Sequence, residues 1–296
     1  MVKTWFLTKS EQERKERRKT VMKNLKALSY ELRKDTIDII LAGGGGHIGG
    51  DMSVMEILVD LYFKQMNVSP EQAEDPDRDY FIMSKGHSME AYYAVLCTKG
   101  FLDLKDVKER FSKFNSPYIG HPHNTLPGIE MNSGSLGHGL PVAVGLALAA
   151  KKKGKENRVY VVTGDGELAE GSNWEGFMSG AMFGLDNLCC VIDRNYLQIS
   201  GSTEDVMALD DLKAKVEAFG WNVIVVNDGN DLDQIDAAFE AAKKTKGKPT
   251  CVIANTVKGK GSPVMENKAG WHHKVPSAQQ YEEIIRDLAK KEEELS

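Results

Sequence analysis

Short apolar runs of strand length alternate with helix-length segments through the second half of the chain. The apolar runs predict buried strands at residues 158–163, 187–193, 221–227 and 249–255. The segments between them predict helices at residues 169–184, 208–219 and 231–244. Strands that alternate with helices of this length indicate an α/β fold, so we predict a mostly parallel sheet with helices on both faces.

The first half of the chain has a mostly helical pattern with one short strand. Residues 11–34 predict a charged helix with a modest apolar stripe, which we expect to lie on the surface. The pattern then predicts a glycine-rich turn at 42–50, a helix at 53–64 with Ser53 as its N-cap, a strand at 79–83, and helices at 84–98, 103–113 and 139–153. We predict one domain over residues 1–296, with an N-terminal helical extension at 1–40 and a C-terminal charged helix at 277–296.

Three long irregular stretches, at residues 115–138, 196–205 and 257–276, separate these elements. Loops of such length inside a compact chain are usually functional or disordered. The histidines all lie in loops or at predicted helix starts, namely His47, His87, His121, His123, His138, His272 and His273. Because sites on α/β folds are built from loops, this distribution favours function.

Composition narrows the functional class without naming a function. The net charge of −5 offers no electrostatic basis for nucleic acid as the main partner. We expect no signal peptide, and no apolar run is long enough to span a membrane. The four cysteines lack metal-ligand spacing, and Cys189 and Cys190 are expected to be small core residues. Without a disulfide framework, the chain suits the reducing cytoplasm.

A carboxylate and a side-chain amide follow two neighbouring predicted strands. The motif Gly164-Asp165-Gly166 comes directly after strand 158–163, and Asn195 comes after strand 187–193. In an open α/β sheet, ligands bind at this edge. Such oxygen donors suit a hard divalent cation that also binds phosphate, and glycines allow a phosphate to approach the backbone. The alternative is an ordinary tight turn in which Asp165 caps the following helix.

Several motifs together resemble a known family. A Gly-Asp-Gly motif followed about thirty residues later by Asn resembles the diphosphate-binding half of thiamin-diphosphate enzymes. The segments that stand in the order and spacing of transketolase motifs are residues 44–49, 84–87, 120–122, 134–139 and 271–272. The resemblance implies the thiamin-diphosphate-binding fold, specifically its diphosphate-binding domain.

The same resemblance implies a role for individual residues. Asp165, Asn195 and the Leu197 carbonyl are expected to ligate Mg²⁺ or Ca²⁺. The expected cofactor contacts, to the diphosphate and the rings of thiamin diphosphate, are His87, Gly134, Leu136, Gly164, Asp165, Gly166, Asn195, Ile199 and His272. The expected catalytic histidines, which face the sugar or the cofactor, are His47, His87, His121 and His272.

Transketolase subunits normally carry three domains, and this chain resembles only the first. The resemblance therefore implies the N-terminal subunit of a split transketolase of the pentose phosphate pathway. A C-terminal subunit would supply the pyrimidine-binding and C-terminal domains, in an α2β2 heterotetramer that transfers a two-carbon ketol unit between sugar phosphates. The isolated chain is expected to be inactive. The alternatives are the α subunit of a 2-oxo acid dehydrogenase, the related deoxyxylulose-phosphate synthase, or an inactive cofactor-binding module.

Other positions stay open at this point. His138 departs from the glutamine common in transketolases, so either a helix N-cap or a cofactor contact is possible for it. Lys258 and Lys274 are expected to be surface lysines; the alternative is that they assist near the cofactor or the sugar phosphate. Glu170 and Glu175 resemble interface acids that link two active sites; the alternative is that they are first-turn acids that interact with the helix dipole, which explains Glu170 better than Glu175. The glycines Gly176, Gly180 and Gly184 line one face of a predicted helix, which fits packing on the chain's own sheet or on a partner equally well.

Overall fold

A five-stranded parallel sheet forms the centre of the protein. The computed structural model describes residues 9–295, with side-chain burial from residue 24 onward, so predictions for residues 1–8 and Ser296 lie outside it. The described strands are β1 (Tyr80–Met83), β2 (Val159–Gly164), β3 (Leu188–Arg194), β4 (Leu197–Gln198), β5 (Gly201–Ser202), β6 (Asn222–Val226) and β7 (Thr250–Asn255). The sheet order is β1-β2-β3-β7-β6, while β4 and β5 form a small separate hairpin.

Helices cover both faces of the sheet, as the sequence predicts. The described α-helices are α1 (Lys9–Gly43), α2 (Ile48–Ser53), α3 (Met55–Asp60), α4 (Met89–Lys99), α5 (Leu104–Arg110), α6 (Gly139–Lys152), α7 (Gly171–Met182), α8 (Thr203–Val206), α9 (Leu212–Ala218), α10 (Leu232–Lys244) and α11 (Ala278–Leu295). Successive residues of a strand point to opposite faces, so Cys189 of β3 packs with α3, α4 and α10, and Cys190 packs with α6, α7 and α9.

The long first helix corrects the prediction of a surface helix. Within the predicted range the side chains of residues 24–34 are described, and Leu25, Leu32 and Arg33 among them are buried in the core. The apolar face of α11, with Ile284 and Leu288, packs along it from one side. The stripe in residues 11–34 underestimates this burial because the residues that cover the helix come from distant segments.

Several predicted boundaries change in the structure. The turn predicted at 42–50 contains the end of α1 and the start of α2, and the helix predicted at 53–64 corresponds to α3 and a π-helical turn (Leu61–Gln65). Ser53 is therefore no N-cap: it ends α2, and its hydroxyl donates to Asp193 Oδ2 at 2.6 Å. The loop predicted at 196–205 contains the β4–β5 hairpin and the start of α8.

The glycine face of α7 packs against the protein's own residues. A Cβ atom added at Gly176 would lie 2.9 Å from Leu140 Cγ, and one added at Gly180 would lie 2.6 Å from Trp221 Cζ2. These two glycines therefore make room for α6 and for the residue that precedes β6. Across residues 9–295, no helix combines the length and the apolar character needed to cross a lipid bilayer. The single-domain interpretation of residues 1–296 stays a prediction.

Candidate active site

One cavity of about 390 Å³ lies at the carboxyl ends of the central strands. Every residue that the sequence assigns to the site lines it: His47, His87, His121, Gly134, Leu136, Gly164, Asp165, Gly166, Asn195, Leu197, Ile199 and His272. Six further lining residues carry no predicted role: Gly50, Lys85, Glu167, Gln198, Ser200 and Lys258. Residues separated by more than two hundred positions thus meet in one place.

Four predicted histidines form a compact cluster in this cavity. The ring centroid of His47 lies 5.1 Å from that of His87, 6.1 Å from that of His121 and 5.6 Å from that of His272. His273, to which the sequence assigns no role, is exposed, and its ring lies 4.7 Å from that of His47. The imidazoles therefore offer several hydrogen-bonding groups to a polar ligand.

Burial keeps these imidazoles neutral. Burial first, and then electrostatic coupling to the neighbouring rings of His273 and His121, lowers the pKa of His47 to about 4. Burial and the nearby Lys258 ammonium lower the pKa of His272 to about 3. Burial likewise holds the pKa of His87 well below its ordinary value. A neutral imidazole can both donate and accept a hydrogen bond, which suits contacts to sugar hydroxyls and phosphate oxygens.

Asp165 follows β2 and is almost fully buried. Its two carboxylate oxygens accept the Gly166 N–H at 2.8 Å and the Tyr196 N–H at 2.6 Å, while Arg194 Nη1 lies 3.7 Å away. Burial, and after it the nearby Asp193 carboxylate, raises the pKa of Asp165 to about 6. A carboxylate oxygen that accepts one N–H group keeps a further lone pair, which can ligate a metal cation.

The other two expected metal ligands lie beside it, after β3. Asn195 Oδ1 accepts the Leu197 N–H at 3.2 Å, and the Leu197 carbonyl accepts a hydrogen bond from Lys258 Nζ at 2.9 Å. A carbonyl oxygen has two lone pairs, so this contact leaves one for a metal ion. A carboxylate, an amide oxygen and a backbone carbonyl form a donor set that fits a hard cation.

Two buried lysines complete the floor of the cavity. Lys258 is 2% exposed, so the surface prediction for it is wrong. Its ammonium lies 2.9 Å from His272 Nδ1, and burial together with the nearby charge of Lys85 lowers the pKa of Lys258 to about 8. Lys85 donates to the Gly50 carbonyl at 3.0 Å and forms a buried ion pair with Asp193. No local pattern distinguishes these lysines from surface ones.

Glycine loops form the opposite wall. Gly134 has a φ of +144°, and an added Cβ atom there would lie 3.0 Å from the His121 ring, so the loop approaches that histidine closely. The buried Glu167, which sequence reasoning missed, accepts the N–H groups of Gly137 at 2.8 Å and Gly164 at 3.0 Å. This carboxylate therefore holds two glycine loops together. Leu136 is half-buried, and Ile199 is 74% exposed at the rim.

Other candidate residues lie outside the cavity. His138 is exposed and occupies the N-cap position of α6, as one alternative predicts, although its side chain makes no capping hydrogen bond. Lys274 Nζ lies 4.2 Å from the centroid of the Trp271 ring and does not line the cavity. Glu170 and Glu175 are exposed, and their role at a subunit interface stays a prediction.

Comparisons with known proteins show the family of this chain. A family model described as "Transketolase, thiamine diphosphate binding domain" matches residues 25–291. The chain is 44% identical over 274 residues to one of the subunits of the apulose-4-phosphate transketolase of Phocaeicola vulgatus, covering 93% of this chain and 97% of that protein. It is 37% identical over 263 residues to the "6-deoxy-6-sulfo-D-fructose transketolase subunit SqwG" of a Clostridium species, covering 88% of this chain and 94% of that protein.

A similar structure is also known. A transketolase variant from Pichia stipitis superimposes with a TM-score of 0.83 at 28% sequence identity, over 92% of this chain. The chain spans 45% of the length of that solved transketolase.

Proposed function

Because this chain belongs to the transketolase family and matches the thiamine diphosphate-binding domain of that family, we propose that it is the N-terminal subunit of a split transketolase. The observation that carries the proposal is the convergence of all the predicted site residues on one cavity. Support also comes from relatives named as transketolase subunits, which this chain covers almost completely. Those names favour a transketolase over a 2-oxo acid dehydrogenase subunit.

We propose that the cavity holds thiamin diphosphate through its diphosphate end. Asp165, Asn195 and the Leu197 carbonyl are the proposed ligands of Mg²⁺ or Ca²⁺. Gly166 has no room for a side chain, because an added Cβ atom there would lie 2.9 Å from Gln198 Oε1. Without a side chain, the backbone of Gly166 allows the diphosphate to approach closely. When bound, thiamin diphosphate supplies the nucleophilic carbon on which ketol transfer depends.

The histidines are the proposed contacts to the sugar and the diphosphate. His87 and His272 donate hydrogen bonds toward the diphosphate, and His47 and His121 position the hydroxyl groups of the donor sugar. All four are proposed to act as neutral imidazoles, because burial holds their pKa values low. Leu136 and Ile199 provide apolar surface for the cofactor rings.

A partner subunit completes the proposed enzyme. Ile199 at the rim of the cavity is 74% exposed in this chain, which is compatible with a second subunit that covers it. We propose an α2β2 assembly, because most soluble oligomers have closed symmetry. A cytoplasmic location and a place in the pentose phosphate pathway stay predictions.

The test is reconstitution. The purified chain alone is expected to show no ketol transfer, and mixing it with the subunit that carries the pyrimidine-binding domain should produce transfer that depends on thiamin diphosphate, Mg²⁺ and an aldose acceptor. The donor panel is apulose 4-phosphate, 6-deoxy-6-sulfo-fructose and xylulose 5-phosphate. Decarboxylation of pyruvate without ketol transfer would point to the rival 2-oxo acid dehydrogenase class, and an active isolated chain would refute the split enzyme.

A matched pair of variants tests the cofactor site. Asp165→Ala should abolish Mg²⁺-dependent binding of thiamin diphosphate to the assembly in a calorimetric titration. Asp186→Ala, at the amino edge of the same sheet, should leave the binding isotherm unchanged. Binding that survives in the Asp165 variant would contradict the proposed ligand set, and binding without turnover in the native assembly would favour an inactive module.

A further inference from the structure

Two buried carboxyl groups lie side by side behind the histidine cluster. Asp51 in α2 is 0% exposed, and Glu90 at the second position of α4 is 1% exposed. Asp51 Oδ1 accepts the N–H of Ala91, the residue after Glu90, at 3.0 Å, so the two carboxyl groups lie next to each other. Among the described residues, no amine, amide or hydroxyl group donates to Asp51 Oδ2 or to Glu90 Oε2. A proton on one of these carboxyl groups would let it donate a hydrogen bond to the other, which satisfies both oxygens.

The surroundings of this pair contain little positive charge. In the part of the chain that the structure describes, Lys85 is the cation whose charge acts on Asp51, and it already forms an ion pair with Asp193. The other titratable groups that face the pair are the largely neutral His47 and the Tyr93 hydroxyl.

The pKa values of the two carboxyl groups agree with one retained proton. Burial raises the pKa of Asp51 to about 7, against the effect of the Ala91 N–H and Lys85. Burial, and then the neighbouring Asp51, raises the pKa of Glu90 well above its ordinary value. Two adjacent carboxylates in a buried site disfavour double ionisation, so the pair keeps one proton near neutral pH.

Glu90 touches the turns that carry three of the cavity histidines. Its carboxyl group lies near the backbone N–H of His47. A Cβ atom added at Gly46 would lie 2.8 Å from Glu90 Oε1, and one added at Gly120, directly before His121, would lie 3.9 Å from the same oxygen. His87 lies three residues before Glu90, at the entry to α4. One side chain therefore contacts or adjoins all three turns.

We propose that Asp51 and Glu90 form a proton-sharing pair that positions His47, His87 and His121 for the sugar substrate. Neither carboxyl group lines the cavity, so both act through the histidines and are positioning residues. The link to a sugar rests on the proposed transketolase function, whereas the shared proton and the positioning of the rings do not.

The shared proton is tested by urea unfolding of the full chain between pH 5 and pH 8. A raised native pKa gives stability that is complete below the unfolded pKa and is lost as pH rises through the native pKa. If the native state holds one proton that the unfolded state lacks, the folding equilibrium constant falls about tenfold for each unit by which pH rises between the unfolded and native pKa values. Glu90→Gln keeps the shape and donates an amide hydrogen to Asp51, so it should remove about one proton from this pH dependence. An unchanged slope overturns the shared proton.

The positioning is tested by NMR of the histidine imidazoles of the full chain at pH 6.5. Glu90→Ala should shift the signals of His47, His87 and His121, whereas Glu90→Gln should leave them in place. The matched control is Asp60→Asn. Asp60 is also a buried acid, and burial raises its pKa to about 7, but its carboxylate contacts Gln65 instead of a turn that carries a histidine. If Glu90→Ala does not fold, Glu90→Asp takes its place, since it keeps the acid but shortens its reach. Unmoved histidine signals overturn the positioning role.

Kinetics of the reconstituted assembly connect the pair to the sugar. Misplaced catalytic groups cost about 100-fold, so Glu90→Ala should lower kcat/KM for the ketose donor by that order, and Glu90→Gln should restore most of it. The native activity should fall at alkaline pH as the pair loses its proton, and Glu90→Gln should lack this fall. A native assembly without ketol transfer contradicts the proposed function but leaves the unfolding and NMR tests readable. An active assembly that Glu90→Ala does not impair overturns the link to the substrate.

Discussion

The buried ion pair between Arg33 and Glu56 predicts how strongly the first helix is bound to the core. The Arg33 guanidinium is fully buried and donates to both Glu56 oxygens, at 2.6 Å each, and to the Met52 carbonyl at 2.8 Å. Arg33→Met keeps the apolar stem but leaves the Glu56 carboxylate with the Asn230 amide at 2.8 Å. Removing one partner of a buried pair costs about 3–5 kcal/mol, so the free energy of unfolding should fall by that amount.

The assay is urea unfolding of the full chain followed by far-UV circular dichroism. The control is Lys34→Met on the same helix, whose ammonium pairs with Glu292 at 2.6 Å in a partly exposed position, and it should cost about 0–1 kcal/mol. The double variant Arg33→Met with Glu56→Leu removes the stranded charge and should recover at least half of the loss. A loss below about 1 kcal/mol in the single variant, or no recovery in the double variant, would refute the reasoning.

Three further predictions concern packing, charge and the cavity. Gly180→Ala should lower the free energy of unfolding by about 1–3 kcal/mol, because the new methyl group meets the Trp221 ring, while Gly171→Ala, which meets no atom within 4 Å, should change it little; equal effects in urea unfolding would contradict this packing. The His47 imidazole should stay neutral in NMR titrations from pH 8 down to about pH 5, because its pKa is lowered to about 4. The free energy of unfolding should decrease as pH falls from the unfolded pKa of this histidine to its native pKa, because the unfolded state binds the proton more readily. Protonation of His47 near pH 6.5 would be inconsistent with its burial. Lys258→Met should weaken calorimetric binding of thiamin diphosphate with Mg²⁺ at least tenfold, and unchanged affinity would remove Lys258 from the binding site.

Much of the fold follows from local pattern. Each sheet strand after residue 150 lies within one or two residues of its predicted bounds. For the buried strands β2, β3 and β7 the reason is that a parallel strand covered on both faces requires a continuous apolar run. The site residues could also be predicted from the sequence, since glycine, aspartate, asparagine and histidine at strand ends and in loops mark the edge where such sheets bind ligands. Identification of the family came from the order of several motifs, which no single motif provides.

Long-range pairing accounts for what sequence reasoning missed. Lys258 resembles any surface lysine until the fold places it against His272, and Glu167 resembles a helix-start acid until it binds two glycine loops. Similarly, Asp51 and Glu90 are separated by 39 positions, and neither neighbourhood indicates that they meet.

The sequence by itself determined the alternation of strands and helices, the sheet edge that carries the site and the chemical groups available there. These features depend on the periodicity of apolar residues and on side-chain chemistry, which are local properties of the chain. Only the tertiary structure decided which polar groups lose water and which partners they gain. Burial and pairing depend on contacts between distant segments, and it is these contacts that keep the histidines neutral and bury the first helix.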